Sequence, residues 1–207
     1  MKRQKKVELL PDLVESIVGD AADLFVVFID LCGSSEYKQR CRMLKQPDLT
    51  WISRQLIFLQ RAARIIKAYE GTVVKTIGDE VFAYFEATTD PERVLKCAIE
   101  VIQGYENLKA YKGDSKIEAK ASIDFGLTYN GSIVDSVSFD PIGLPVDRCA
   151  RLNSLAKKSE ILFSREFLYL VQSKSSPEQF KSKYGYDSRT ADLAGTGKTE
   201  YFSVMAE

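Results

Sequence analysis

The residues from Leu24 to Ile29 form an unbroken apolar run, and Asp30 closes it. A run of this kind, rich in valine and phenylalanine, predicts a strand that is buried on both faces. An unpaired carboxylate at the end of a buried strand is unfavourable, or it has a raised pKa. We therefore expect a positively charged partner at Asp30, and a divalent cation is the partner that the following observations favour.

A second acid, Asp79, stands between two β-rich runs. Residues 72–77 and 81–86 are separated by Gly78-Asp79-Glu80, which predicts a hairpin with the acid at its tip. Aspartates at strand ends are most often caps or turn residues. Two such acids close together would instead suit Mg²⁺ or Mn²⁺, which prefer carboxylate oxygens.

Helical and strand-like patterns share the rest of the chain. Helices are predicted over 7–19, from Ser34 or Ser35 through Arg40, and over 49–69, 91–111, 146–156 and 166–171. Further strands are predicted over 117–128, 131–136, 161–163, 186–193 and 199–205, with a turn at 129–131. The polar segment 172–184 is predicted to be a mobile surface insertion. Hairpins mixed with long helices indicate an α+β fold in which helices pack on a largely antiparallel sheet.

The composition suits a globular protein. With 207 residues, 45% of them hydrophobic, the chain can bury one sizeable core. We divide it into a basic tail with a short helix at 1–20 and one main domain at 21–207. Because 29 basic residues balance 29 acidic ones, no overall field attracts nucleic acid. No stretch reaches the roughly 18 apolar residues of a membrane span, so we expect a cytoplasmic protein without stable membrane association.

The chain contains no histidine. This excludes Ser-His and Cys-His nucleophilic pairs, histidine general bases and His-ligated zinc. The four cysteines, at 32, 41, 97 and 149, show no short paired spacing typical of a zinc site. Chemistry must therefore rest on carboxylates, lysines and arginines.

Two segments could bind phosphate. Gly33-Ser34-Ser35 begins a predicted helix, whose free backbone N–H groups suit a triphosphate. Arg148 and Arg151 are three residues apart on another helix, where they either reach phosphate or form a solvated face.

A third segment, Gly195-Thr196-Gly197-Lys198-Thr199, looks like a phosphate-binding P-loop. The full pattern needs a glycine where Asp192 stands, and the segment leads into a strand. We therefore predict a hairpin turn there.

Three motifs in this order resemble class III nucleotidyl cyclases, from about Leu24 to Val204. In that family a strand ends in Asp-Ile-x-Gly-Phe-Thr, and the segment Asp30-Leu31-Cys32-Gly33-Ser34-Ser35 is similar. Lys-x-x-Gly-Asp is matched by the segment from Lys75 to Asp79. The third motif, Asp-x-x-Gly-x-x-Val-Asn-x-Ala-x-Arg, is matched at Asp140, Gly143, Val146, Asp147, Cys149 and Arg151. The resemblance implies the ferredoxin-like α+β fold of these cyclases.

The resemblance also implies roles for the first two motifs. Asp30 and Asp79, with the Leu31 carbonyl, would hold two divalent metal ions, Mn²⁺ or Mg²⁺. Lys75 and Asp140 would contact the edge of the base. Together these residues would bind a nucleoside triphosphate for conversion to a 3′,5′-cyclic nucleotide and pyrophosphate.

The third motif implies a shared site. Arg151 from a partner subunit would stabilise charge on the α-phosphate, which requires a homodimer with two equivalent active sites. The family's ribose-orienting asparagine is Asp147 here, which can accept a hydrogen bond from a ribose hydroxyl.

The identity of the base stays open at this stage. Lys75 with Asp140 rejects guanine more clearly than it selects adenine, and Tyr37 is a candidate for limiting the size of the base pocket. Gly-Ser-Ser-x-Tyr and Val-Asp-Arg-Cys-Ala-Arg look like the pyrimidine cyclases of bacterial Pycsar antiphage systems. That resemblance implies cyclic UMP or cyclic CMP as product and a separate effector protein. The alternatives are an adenylate cyclase and a catalytically silent nucleotide-binding module.

Overall fold

The computed structural model describes residues 21–105, 116–131 and 139–206. The helix predicted over 7–19, the end of the helix predicted over 91–111 and most of the strand predicted over 131–136 lie outside the described residues. These remain predictions. Within the described ranges, no helix has the length and apolar character needed to cross a membrane.

One mixed sheet forms the frame of the molecule. Its strands are β1 (Ala22–Leu31), β2 (Thr72–Ile77), β3 (Glu80–Glu86), β4 (Ala119–Asn130), β5 (Pro141–Ile142), β6 (Glu160–Ser164), β7 (Asp187–Leu193) and β8 (Gly197–Met205). The spatial order is β2-β3-β1-β4-β6-β8-β7, and β5 pairs with β4. The β4–β6 pair is parallel and the other pairs are antiparallel. The predicted α+β class with a largely antiparallel sheet is confirmed.

Helices cover both faces of this sheet. They are α1 (Ser34–Met43), α2 (Leu49–Ala68), α3 (Pro91–Gln103), α4 (Leu144–Leu155), α5 (Arg165–Lys174) and α6 (Pro177–Tyr184). Side chains of β1 alternate between two cores: Phe25 and Val27 join α2, α3 and α5, whereas Val26 and Phe28 join Cys149 of α4. Strand β1 is therefore buried on both faces, as its apolar run predicts.

Local sequence signals define the start of α3. The Asp90 side chain caps the helix by accepting a hydrogen bond from the Glu92 N–H at 3.1 Å, and Pro91 occupies the first turn. A capping aspartate followed by proline is a strong helix start, because the aspartate accepts from an unpaired N–H of the first turn and the proline has no N–H that would need a partner. The apolar spacing behind it buries one face of α3 against the sheet.

The prediction of a mobile insertion over 172–184 is wrong. Helix α5 extends to Lys174, and most of the remaining segment forms α6. Phe180 of α6 is 2% exposed, and its ring centroid lies 4.8 Å from that of Tyr184. The segment is polar at most positions. These two aromatic side chains, at i and i+4, form the apolar face by which α6 packs on the core.

The predicted turn at 129–131 is also misplaced. Strand β4 runs through Tyr129 and Asn130, which pair with Ile142 and Pro141 of the short strand β5. The closing hairpin, in contrast, is confirmed: Leu193 pairs with Gly197, so the P-loop-like segment forms the end of the turn and the start of β8.

Phe163 of β6 is the centre of an aromatic cluster at this end of the core. Its side chain is fully buried and contacts the rings of four other residues, Phe167, Phe180, Tyr186 and Phe202. The cluster joins β6 and β8 to helices α5 and α6.

We predict that Phe163→Ala lowers the free energy of unfolding by about 3–5 kcal/mol, because it leaves a cavity among rigid aromatic rings. Urea denaturation monitored by circular dichroism measures this change. Leu56→Ala is the control, because Leu56 is 48% exposed and its truncation should cost about 1 kcal/mol or less. Equal losses in the two variants would contradict the assignment of Phe163 to the core.

Candidate active site

The β1–β3 ladder brings Asp30 and Asp79 to the same end of the sheet. Asp30 lies opposite Glu80, and the Leu31 N–H donates to the Asp79 carbonyl at 3.4 Å. Burial raises the pKa of the Asp30 carboxyl, the charge of Lys120 opposes this rise, and the charge of Asp79 adds to it. Asp30 therefore has the environment of an acid that a cation would stabilise.

Glu80 is a third acid at this end of the sheet, and the sequence analysis did not single it out. Burial raises the pKa of Glu80, a hydrogen bond from Asn153 opposes the rise, and Asp30 adds to it. The Asn153 amide donates to Glu80 at 2.6 Å from α4, where Asn153 is 1% exposed. Adjacency to Asp79 could have identified Glu80, but nothing in the sequence links it to Asn153.

The oxygen atoms gathered here fit a divalent cation. Asp30 and Asp79 offer carboxylates and Leu31 a backbone carbonyl, which are hard ligands of the kind that Mg²⁺ and Mn²⁺ prefer. In the parts of the chain that the structure describes, no three His, Cys, Asp or Glu side chains form a metal site by themselves. A bound ion would therefore complete its coordination with backbone, water or substrate oxygens.

The predicted phosphate loop follows β1 directly. Gly33 is the N-cap of α1, with a φ of 68° in the left-handed region that favours glycine. Ser34 and Ser35 form the first turn of α1, and Gly33 has no side chain that could cap it. The start of α1 thus lies just beyond the acids, at an orientation set by this glycine.

Lys75 and Asp140, which the sequence separates by 65 positions, form an ion pair. The Lys75 Nζ lies 2.5 Å from the Asp140 Oδ2. The Asp140 N–H donates to the Asn130 side chain at 3.2 Å, and the Gly131 N–H donates to the Asp140 carbonyl at 2.8 Å. These bonds anchor Asp140 to the end of β4.

A β-bulge in β2 decides which face of the sheet Lys75 occupies. Val73 pairs with Ala83, but Lys75 pairs with Phe82, so Val74 is an additional residue in the ladder. Without the bulge, side-chain alternation would turn Lys75 to the opposite face. With the bulge, Lys75 shares the face of Phe82, Phe28 and Asp30.

Tyr37 lies in α1, where its ring packs against α2. The guanidinium of Arg54 is 4.7 Å from the ring centroid. Arg54 is itself buried and donates to the Lys116 carbonyl at 2.5 Å. The predicted role of Tyr37 in limiting the base pocket remains a prediction.

Asp147 and Arg151 lie four residues apart on α4 and are both exposed. Among residues 21–105, 116–131 and 139–206, Arg151 forms no ion pair. Its Nη2 lies 3.7 Å from the position that a Cβ at Gly195 would take, so the guanidinium borders the β7–β8 connection. Arg151 is therefore accessible to a partner molecule or a ligand.

Arg148 differs from its predicted role as a phosphate ligand. Its guanidinium donates twice to the fully buried Asp124, at 2.6 and 2.8 Å, and once to Glu166, at 2.8 Å. Burial opposes the charge of Arg148, but the bonds and charge of Asp124 outweigh it and raise the pKa of the guanidinium. Arg148 thus attaches α4 to β4, whereas Arg151 is exposed.

Comparison of the sequence with protein-family models gives no match, and comparison with curated protein sequences gives none. Comparison with solved structures does give similar folds. The catalytic core of a rhodopsin-guanylyl cyclase with converted specificity, in complex with ATPαS, has a TM-score of 0.73 at 19% identity, over 91% of this chain and 99% of that chain. This chain has the class III cyclase fold.

Two further structures with the cyclase fold have similar scores. The guanylate cyclase domain of RhGC from Catenaria anguillulae, in complex with GTP, has a TM-score of 0.73 at 18% identity, over 90% of this chain and 97% of that chain. The adenylyl cyclase CyaB from P. aeruginosa has a TM-score of 0.70 at 20% identity, over 89% and 94%. The chain therefore spans nearly the whole length of these cyclase domains.

We predict that Asp124→Ala lowers the free energy of unfolding by about 3–5 kcal/mol, because it leaves the Arg148 guanidinium without its buried partner. Thermal and urea denaturation measure the loss. Glu166→Ala is the matched control, since Glu166 contacts the same guanidinium from a position that is 46% exposed, and we expect a cost of about 1 kcal/mol or less. Similar losses in the two variants would contradict a structural role centred on Asp124.

Proposed function

We propose that this protein is a nucleotidyl cyclase that converts a nucleoside triphosphate to a 3′,5′-cyclic nucleotide and pyrophosphate. The ribose 3′-oxygen attacks the α-phosphorus, and the bond from the α-phosphorus to the oxygen that bridges it to the β-phosphorus breaks. Pyrophosphate leaves, and the hydroxyl proton passes to solvent water. The observation that carries this proposal is the position of Asp30 and Asp79 on one end of the sheet, next to the start of α1.

Asp30, Asp79 and the Leu31 carbonyl would hold divalent cations, Mg²⁺ or Mn²⁺. Such ions supply Lewis-acid activation of the 3′-hydroxyl and neutralise the triphosphate. The N–H groups at Gly33, Ser34 and Ser35 would bind phosphate oxygens, which the start of a helix favours. The protein's contribution is thus to orient a highly charged substrate at a preformed end of the sheet.

Arg151 would act in the site of a partner subunit. It is exposed and borders the β7–β8 connection. A guanidinium suits the stabilisation of charge that develops on the α-phosphate. Asp147, one helical turn earlier, would accept a hydrogen bond from a ribose hydroxyl. In a symmetric homodimer, each protomer would supply the acids of one site and the arginine of the other.

Lys75 and Asp140 would read the base. They present one donor group and one acceptor group, which hydrogen-bond each other at 2.5 Å when no base lies between them. Cytosine and adenine show an amine beside an acceptor nitrogen, and uracil shows an N–H beside a carbonyl, so each can bond to both side chains. The similar cyclase domains include complexes with GTP and ATPαS, so the shared fold does not decide the base.

We favour a pyrimidine base and a role in antiphage signalling. This choice rests on the sequence resemblance of the Gly33–Tyr37 and Val146–Arg151 segments to pyrimidine cyclases of Pycsar systems. The product would be cyclic UMP or cyclic CMP, and a separate effector protein would bind it. Adenylate cyclase activity is the second candidate, since the Lys75–Asp140 pair also suits adenine. A silent nucleotide-binding module is the third, although such a module would have no use for the acid pair or Arg151.

Incubation of the protein with Mn²⁺ and each of the four nucleoside triphosphates, followed by chromatography and mass spectrometry, distinguishes these functions. We expect cyclic UMP or cyclic CMP as the main product. Cyclic AMP alone would contradict the pyrimidine assignment. The absence of a cyclic product from all four substrates, in a folded protein, would contradict the cyclase itself.

Mixing two inactive variants tests the shared site. Asp79→Ala removes a metal ligand and Arg151→Ala removes the partner's arginine, so each variant alone should lose nearly all turnover. In a mixed dimer, one of the two sites keeps both groups. Random reassociation should therefore restore about a quarter of wild-type activity.

The control for this experiment is Asp187→Ala, which removes an exposed acid on β7. It should keep wild-type activity, and its one-to-one mixture with Asp79→Ala should give about half of wild-type activity, the amount that the acids of the Asp187→Ala protomers supply. Circular dichroism should show intact folding for all variants. No recovery in the Asp79→Ala and Arg151→Ala mixture would contradict a site built from two subunits.

A further inference from the structure

Lys120 of β4 lies directly beside the acid pair. In the β1–β4 ladder it faces Asp30, so both side chains extend from the same face of the sheet. The Lys120 Nζ is 3.5 Å from the Asp30 Oδ2, and the two side chains are 17% and 25% exposed. This is a partly desolvated ion pair in a fixed register, not a pair of mobile surface chains.

Three charged side chains form a row across three strands. Glu80 of β3 faces Asp30 from one side, and Lys120 of β4 faces it from the other. Asp79 adds a further negative charge to the Asp30 environment. One ammonium therefore partly neutralises a group of three carboxylates, and it does so at Asp30.

A divalent ion at Asp30 would compete with this ammonium. Both cations are attracted to the Asp30 carboxylate, and their mutual repulsion at a few ångströms in a partly desolvated site is substantial. An ion that uses the Asp30 Oδ2 would require Lys120 to move away from that oxygen.

We propose that Lys120 is an internal counter-ion of the metal site, which occupies Asp30 in the free protein and which a divalent ion must displace. The inference rests on the proposed function, because it takes Asp30 and Asp79 as the metal ligands. Lys120 then lowers the affinity for the ion alone. Lys120 thereby favours binding of the metal–nucleotide complex over binding of the ion alone. In that complex the phosphates supply further ligands to the ion, and they also provide an anionic partner for the displaced ammonium.

A different role for Lys120 predicts the opposite result. If Lys120 served to hold the Asp30 carboxylate in its metal-binding orientation, its removal would weaken metal binding. The sign of the change in affinity therefore separates a counter-ion from a positioning residue.

The experiment measures Mn²⁺ binding to the full chain without nucleotide, from the electron paramagnetic resonance signal of the free ion. We expect Lys120→Met to bind Mn²⁺ about tenfold more tightly than the wild type, which corresponds to about 1.4 kcal/mol. Lys120→Arg retains the charge and should stay close to the wild type. Lys158→Met is the matched control: it removes the same charge from a lysine that is 60% exposed and paired with Glu118 at 2.5 Å, and it should leave the affinity unchanged.

Denaturation adds a readout that does not depend on turnover. Lys120→Met should melt at a lower temperature than the wild type in EDTA, because the carboxylates have lost their counter-ion, and Mn²⁺ should raise its melting temperature by more. Unchanged or weaker Mn²⁺ binding in Lys120→Met would overturn the counter-ion proposal. Mn²⁺ binding that survives Asp30→Asn in the wild-type background would overturn the metal site itself, and the counter-ion proposal with it.

Discussion

The antiparallel pairing of β1 with β3 is the constraint on which the candidate site depends. Backbone hydrogen bonds along this ladder place Asp30 beside Glu80 and join Leu31 to Asp79. The carboxylates do not attract one another, so their proximity is imposed by the ladder and by the apolar side chains that bury β1 on both faces. The free energy gained by burying the core thus offsets the repulsion among these acids. Functional sites commonly contain charged groups that are unfavourable for stability in this way.

Much of this arrangement could be predicted because it is encoded in short segments. The run from Leu24 to Ile29, the acid at each strand end and the Lys75-to-Asp79 spacing all concern residues close together in the chain. Helix α6 was not predicted, because its apolar face consists of only two aromatic side chains within a polar segment. The ion pair of Lys120 with Asp30 was not predicted for another reason. It depends on the register of β1 against β4, which local sequence patterns do not specify.

The position of Lys75 shows why a motif does not by itself determine geometry. The sequence places Lys75 four residues before Asp79, but the face that it occupies depends on the additional residue Val74 in the β2–β3 ladder. A bulge changes the side-chain alternation of every residue beyond it on that strand. Lys75 can meet Asp140 because this irregularity returns it to the face of the acids.

Helix α4 illustrates how burial assigns different roles to residues of one motif. Arg148 and Arg151 are only three residues apart on this helix. Arg148 nevertheless bonds to the buried Asp124, whereas Arg151 is exposed. Asn153, on the next turn, bonds to Glu80. The helix is therefore attached to the sheet on both sides of Arg151, once through a buried ion pair and once through the acid cluster. These two attachments fix the direction in which α4 presents its exposed arginine, so the orientation of Arg151 depends on Asp124 and on Glu80 of the same chain.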